Sequence, residues 1–279
     1  MQEDLYQPQR TFILGLGAQK SGTTWLYEYL INSKKVAVGI VKEFHVWDAL
    51  TVPEFNNFCV SGDKKNEIQT EELKIRAMMQ QRPEFYFEYF VTLMSSQNCR
   101  MAMDITPTYA ALGQKVLKYI KEQFKSLGIR VKVIFLMRDP IERCWSAARM
   151  ENNYKYGNTL VNSSELRVYA RNKRFKARSQ YHKTLQTIFS VFDEENTYIG
   201  FYENMFKEQN LRELSKFCDV ECNLDFATKR VFPSRKLEDI DEFTQSWIAH
   251  DNRDIYYEIK RLFPGIEDVW DGFKYLPIK

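Results

Sequence analysis

The stretch Thr11-Phe12-Ile13-Leu14-Gly15-Leu16-Gly17-Ala18-Gln19-Lys20-Ser21-Gly22-Thr23-Thr24-Trp25-Leu26 sets the reading of the whole chain. Residues 11–16 form an apolar run that stops at glycine, the mark of a strand buried on both faces. Residues 23–32 place Leu26, Tyr29 and Leu30 at i, i+3 and i+4, the spacing of one helix face. Between them, glycines permit a tight turn, and the first N–H groups of a helix have no partner within it. Such a strand–loop–helix unit holds an anion. Here Lys20 adds a point charge and Ser21, Thr23 and Thr24 add hydroxyl donors, so the loop reads as a phosphate or sulfate cradle. It is not a dinucleotide fingerprint, because Lys20 stands where G-x-G-x-x-G needs its third glycine. It is not a Walker A loop either, because Thr23 follows Gly22 where lysine belongs.

The alternation continues outward. Strands are predicted at 100–105, 130–137 and 197–201, with a short one at 36–38. Helices are predicted at 67–80, 115–127 (ended by Gly128), 139–150 and 179–192, then one running to about Cys218 and two or three within 240–263. Strands separated by helices predict a single α/β domain: a central parallel sheet flanked by helices, with a helical C-terminal portion. Ligands bind such sheets at the carboxyl ends of the strands. Polar stretches at 56–66 and 154–164 read as loops. Residues 167–178, rich in Lys and Arg, read as a helix with either a solvated or a substrate-facing basic face.

Composition narrows the classes. Of 279 residues, 44% are hydrophobic and 15% aromatic, which argues against disorder. Forty Lys and Arg against 37 Asp and Glu leave a net charge of +3, which disfavours a general nucleic-acid binder but allows local basic sites. No apolar run approaches the ~18 residues of a membrane span. Residues 1–10 lack the basic-then-apolar order of a signal peptide, so the chain reads as cytoplasmic. The cysteines Cys59, Cys99, Cys144, Cys218 and Cys222 are odd in number and irregularly spaced, which predicts free thiols.

A second anion site follows the most apolar strand, at Arg138-Asp139-Pro140-Ile141-Glu142-Arg143-Cys144-Trp145-Ser146. Asp139 fits an N-cap, Pro140 the first helical position and Glu142 the third, which predicts a capping box. Arg138 then lies at the strand's end beside a helix N-terminus, suited to bidentate phosphate contact. The alternative is an ion pair with its own helix cap. Ser146 falls about two turns along, on the face of Arg143 and Met150.

With both motifs in hand, the chain resembles the sulfotransferases that use 3′-phosphoadenosine 5′-phosphosulfate (PAPS). Gln19–Leu26 (QKSGTTWL) resembles their 5′-phosphosulfate loop. Arg138–Ser146 (RDPIERCWS) resembles their 3′-phosphate motif, in which an Arg and a Ser eight positions later bind the 3′-phosphate. Residues 42–48 (KEFHVWD) resemble the KExHFFD-like segment of glycan O-sulfotransferases and bacterial relatives, and residues 104–109 (DITPTY) their acidic-x-T-P-x-Y segment. Residues 198–204, after a helix containing Tyr181, resemble a later strand of the family. The resemblance spans roughly residues 11–270. It implies one sulfotransferase domain over 1–279, with 1–10 as an N-terminal extension and 235–279 as a helical C-terminal portion. Ile105 stands where many glycan enzymes place a lysine, which counts against a polysaccharide acceptor.

The resemblance implies PAPS binding by Gln19, Lys20, Ser21, Gly22, Thr23, Thr24, Trp25, Arg138 and Ser146. Lys229 and Arg230 are candidates for a basic loop closing over it, and no metal is expected. The implied reaction moves a sulfuryl group in line to an acceptor hydroxyl and releases adenosine 3′,5′-bisphosphate (PAP). Lys20 would stabilise the leaving phosphate, Glu43 would act as base, and His45 is the fallback. The residues alone also allow Glu43 as an ion partner of Lys42 or Lys20, and His45 as a packing residue. A glycan, small molecule, lipid or tyrosine acceptor all fit, with specificity expected from 49–66, 82–98 and 154–178. The aromatic run at 83–90 is either core or acceptor wall. Two other readings stay open: a P-loop-like kinase of nucleotides or small molecules, which would need Mg²⁺, and a non-catalytic nucleotide-binding protein.

Overall fold

The computed structural model describes residues 9–60, 70–157, 160–228 and 239–277. Its centre is a parallel sheet of β1 (Arg10–Gly17), β2 (Met101–Ile105), β3 (Ile129–Met137) and β4 (Thr197–Phe201), in the order β2-β1-β3-β4. Register pairs Phe12 with Ala102 on one side and with Val131 on the other. Apolar runs are continuous because both faces are covered. Phe12, Leu14, Val133 and Phe135 enter one core, whereas Ile13, Met103, Ile134 and Leu136 enter the other. Burying each such side chain contributes about 1.5–3 kcal/mol.

Around the sheet lie α1 (Thr23–Ile31), α2 (Trp47–Thr51), α3 (Glu71–Gln81), α4 (Glu84–Ser96), α5 (Gln114–Ser126) and α6 (Pro140–Tyr156). They are followed by α7 (Ser163–Arg171), α8 (Lys173–Ala177), α9 (Tyr181–Val191), α10 (Glu208–Cys218), α11 (Glu242–Asp251) and α12 (Arg253–Leu262). Helix α11 packs on α6 and α7, and α12 on α9. All five cysteines are free. Among the described residues, no helix is long and apolar enough to cross a membrane.

Several local expectations change. Residues 82–98, expected among the specificity loops, are mostly helix; Tyr86, Phe87 and Phe90 of α4 are buried in the first core, so of the two readings of the aromatic run these three follow the core one. Helix α6 runs to Tyr156 and stops at Gly157, whose φ of 66° suits glycine, so the polar stretch at 154–164 begins inside a helix. The basic stretch at 167–178 is two helices, because the Asn172 side chain leaves the first and caps the second at the Arg174 N–H. Val36 forms only an isolated bridge to Met101.

Gly17 ends β1 with φ 119°, and a Cβ there would lie 2.5 Å from the Pro107 carbonyl oxygen. Backbone strain and backbone overlap combine, so Gly17→Ala is expected to destabilise the fold by about 2 kcal/mol or more. Denaturant unfolding checks this, and an unchanged midpoint refutes it.

Candidate active site

Strand order reverses between β1 and β3, the crevice where open α/β sheets hold ligands. The loop at 18–22 leaves the carboxyl end of β1, and Arg138 leaves that of β3. The two meet: Arg138 Nη1 donates to the Lys20 carbonyl oxygen at 3.3 Å. Arg138 Nη2 also pairs with Glu142 Oε2 at 2.9 Å, and the guanidinium lies 4.5 Å from the Tyr202 ring centroid. The ion pair to its own helix and the contact to the loop therefore coexist.

The loop is built to leave donors open. Gly22, at φ 90°, precedes α1, and no side chain caps the helix. Among the described residues, the buried Ser21 Oγ and Gln19 Oε1 have no hydrogen-bond partner at ordinary geometry. The Tyr181 hydroxyl stands beside Ser21 and donates to the Arg138 carbonyl oxygen at 2.9 Å. Thr23 accepts from Lys42 Nζ at 3.4 Å. Trp25 is placed differently. It is buried in the second core, stacked on Tyr29, and its N–H donates to the Phe226 carbonyl oxygen at 3.4 Å.

The start of α6 carries a correction. Asp139 Oδ1 caps it by accepting from the Ile141 N–H at 2.8 Å. Glu142 does not complete a capping box, because Arg138 holds it; Glu203 accepts from the Asp139 N–H instead, at 2.9 Å. Tyr256 and the Gly272 N–H, both at 2.7 Å, satisfy the rest of the Asp139 carboxylate. The Trp270 indole donates to Glu203 at 3.2 Å. Ser146 lies buried farther along α6.

The charge here is concentrated. Burial pushes the Lys20 ammonium below its ordinary pKa, and the neighbouring Arg138, Arg149 and Lys42 push it further. Like charges gathered in a partly desolvated crevice favour a bound polyanion. Arg149, over the Trp145 ring at 4.3 Å, was not singled out in the sequence. Its place one turn beyond Ser146 is the signal that could have found it.

Residues 42–48 bring Glu43 and His45 to this crevice through Lys42, which contacts both Thr23 and Glu43 Oε1, the latter at 2.6 Å. Glu43 Oε2 is 3.3 Å from His45 Nε2, and His45 Nδ1 is 2.7 Å from Asp48 Oδ2. Thr108 donates to the same Asp48 oxygen, and the His45 ring stacks on Phe58 at 3.7 Å. The segment at 104–109 props this loop: Thr106 Oγ1 accepts from the Phe44 N–H at 3.0 Å, and the Tyr109 hydroxyl accepts from the Val46 N–H at 3.2 Å. Arg76 holds the Glu43 and Phe44 carbonyl oxygens from α3.

Burial alone would raise the Glu43 pKa. The hydrogen bond from His45 and the charge and hydrogen bond of Lys42 outweigh it and hold it at about 2. His45 is also disfavoured as a cation by burial, but hydrogen bonds to Asp48 and Glu43 raise it above 6.5. Asp104, fully buried, rises to about 6 despite donors from Thr106, Tyr86 and Tyr109. Lys229 and Arg230 lie outside the described residues. Among the described residues, no group of three or more His, Cys, Asp or Glu is arranged to hold a metal ion.

A family model described as Sulfotransferase domain matches residues 8–243. The chain belongs to the sulfotransferase family. A sulfotransferase from Alicyclobacillus acidocaldarius shares its fold at 15% identity and a TM-score of 0.57, over 91% of this chain and 95% of that one. The sulfotransferase domain of the Synechococcus PCC 7002 olefin synthase aligns at 16% identity and 0.44, over 80% and 78%. That of the curacin biosynthetic pathway aligns at 18% and 0.44, over 83% and 81%. No curated protein matches the chain by sequence.

Proposed function

We propose that the protein takes a sulfuryl group from PAPS, gives it to an acceptor hydroxyl and releases PAP. The observation that supports this most is the Arg138–Lys20 contact, which joins the two anion loops across the strand-order switch. The residues present fit such a ligand: a helix N-terminus without a side-chain cap, and a buried Ser21 hydroxyl with no hydrogen-bond partner at ordinary geometry among the described residues.

When bound, PAPS supplies an activated sulfuryl group whose bond to the 5′-phosphate breaks as a bond to the acceptor oxygen forms. Arg138 and Ser146 hold the 3′-phosphate, and Gln19, Ser21 and the first N–H groups of α1 hold the 5′ end. Lys20 meets the negative charge that grows on the leaving phosphate, where a preorganised donor in a dry site counts most. Glu43 accepts the hydroxyl proton. Its low basicity suits a loose transition state, as in phosphoryl transfer, because the acceptor proton becomes acidic only as the new bond forms. His45, clasped by Asp48, fixes the carboxylate.

Labelled PAPS offered to a library of hydroxyl acceptors, with EDTA present, tests the reading. Sulfated product formed without added metal supports it; Mg²⁺-dependent phosphoryl transfer, or nucleotide binding with no transfer at all, overturns it. In the same assays Arg138→Ala is expected to weaken PAP binding about 10- to 150-fold, the worth of a charge-assisted contact. Unchanged affinity by calorimetry removes Arg138 from the site.

A further inference from the structure

The basic stretch at 167–178 ends beside the crevice, in an arrangement the nucleotide does not explain. Arg143 is only 1% exposed. Its Nη2 donates to the Phe175 carbonyl oxygen at 3.3 Å, while Nε and Nη1 are buried without a partner among the described residues. Arg178 is partly buried, lies 5.0 Å from the Phe55 ring centroid, and its Nε likewise has no partner among the described residues. The charges acting on Arg178 are the like charges of Arg143 and Arg174 and the opposite ones of Glu151 and Glu43. Neither carboxylate is in an ion pair with it among the described residues. Glu151 is held by Lys155 at 2.6 Å, and Glu43 by Lys42 and His45. Arg174 is bound to the Glu54 carbonyl oxygen at 2.9 Å and to Asn57.

A fully buried guanidinium and a half-buried one, each with an open N–H and neither in an ion pair among the described residues, are unfavourable in the free protein, and an anion delivered by a ligand relieves them. Their place in the fold says which ligand. Phe55 and Phe58 belong to one short turn, and Phe58 stacks on His45, so Arg178 flanks the Glu43–His45 pair. Arg143 acts on Tyr181, which stands at Ser21. The pair therefore lies between the base and the loop, and neither arginine is among the charges that act on Lys20.

We propose that Arg178, backed by Arg143, is an acceptor subsite for an anionic group, so that the acceptor carries a carboxylate, sulfate or phosphate near the hydroxyl that is sulfated. The proposal rests on the sulfotransferase reading above and names its acceptor class.

The test uses matched pairs: 4-hydroxybenzoate, galacturonate and glucose 6-sulfate against 4-hydroxybenzamide, galactose and glucose. The expected result is a higher kcat/KM for at least one anionic member, by about 10- to 150-fold. Arg178→Gln should collapse that ratio and Arg178→Lys restore part of it, with PAP affinity unchanged. Equal kcat/KM within every pair overturns the proposal, as does a loss of PAP affinity in Arg178→Gln, which would assign the arginine to the nucleotide. If no acceptor is sulfated, the sulfotransferase reading fails separately. Calorimetry of the same pairs with PAP present then decides the subsite: anion binding lost in Arg178→Gln supports it, and no preference for any anion overturns it. Arg178 is chosen because it is partly exposed, and thermal unfolding verifies that its variants fold.

Discussion

Glu43→Gln is expected to lower kcat by about 10²- to 10⁴-fold, the usual worth of general-base assistance, while PAP affinity stays unchanged. The amide keeps the size of the side chain and can still accept from Lys42 or His45, so the variant isolates proton transfer from positioning. The pH profile separates the two candidate bases. Glu43, at about 2, is ionised throughout the neutral range, so it imposes no rise in kcat/KM between pH 5 and 8. Were His45 the base, activity would climb with pH through a value above 6.5, because its proton must leave first. A depressed carboxyl also stabilises the fold above pH 4.5 and ceases to do so as pH falls toward 2, and Glu43→Gln should remove that acid-sensitive part. Full turnover in Glu43→Gln takes the residue out of the chemistry.

Lys20→Ala is expected to lower kcat by about 10²- to 10³-fold, the cost of removing one donor aimed at developing charge. Its pKa adds a second signature. The proton leaves Lys20 below the ordinary value, so affinity for a polyanion falls as pH rises through that lowered point. The sign for stability is opposite. In that window the unfolded chain keeps the proton that the folded chain has lost, so the unliganded fold gains stability with rising pH. Lys20→Ala should abolish both trends. PAP titrations and thermal unfolding between pH 7 and 10 check them, and identical curves for the two proteins refute the assignment.

The sheet was legible because its strands are written as continuous apolar runs, and both anion loops because glycine, lysine, aspartate and proline dictate local turns and caps. What escaped was settled by distant partners. Glu142 reads as a capping-box residue only until Arg138 competes for it, and Glu203, more than sixty positions away, takes its place. Residues 82–98 were expected to set specificity because Pro83 and scattered polar residues mask a helix whose stability comes from packing against β2. Trp25 sits inside a loop motif, yet its ring turns away into the second core. Asp48 and Arg149 acquire meaning only when folding brings Thr108 and Lys20 beside them.

The clasp on Asp139 has a consequence for biosynthesis. Gly272, Trp270 and Tyr256 supply donors to the carboxylate pair that fixes the start of α6, next to Arg138. While those three residues are still inside the ribosome, Asp139 and Glu203 lack those donors and the second anion loop has no rear support. On the sulfotransferase reading, tight nucleotide affinity should therefore mature only once residues 256–272 have docked, however early the first strand and its lysine loop fold.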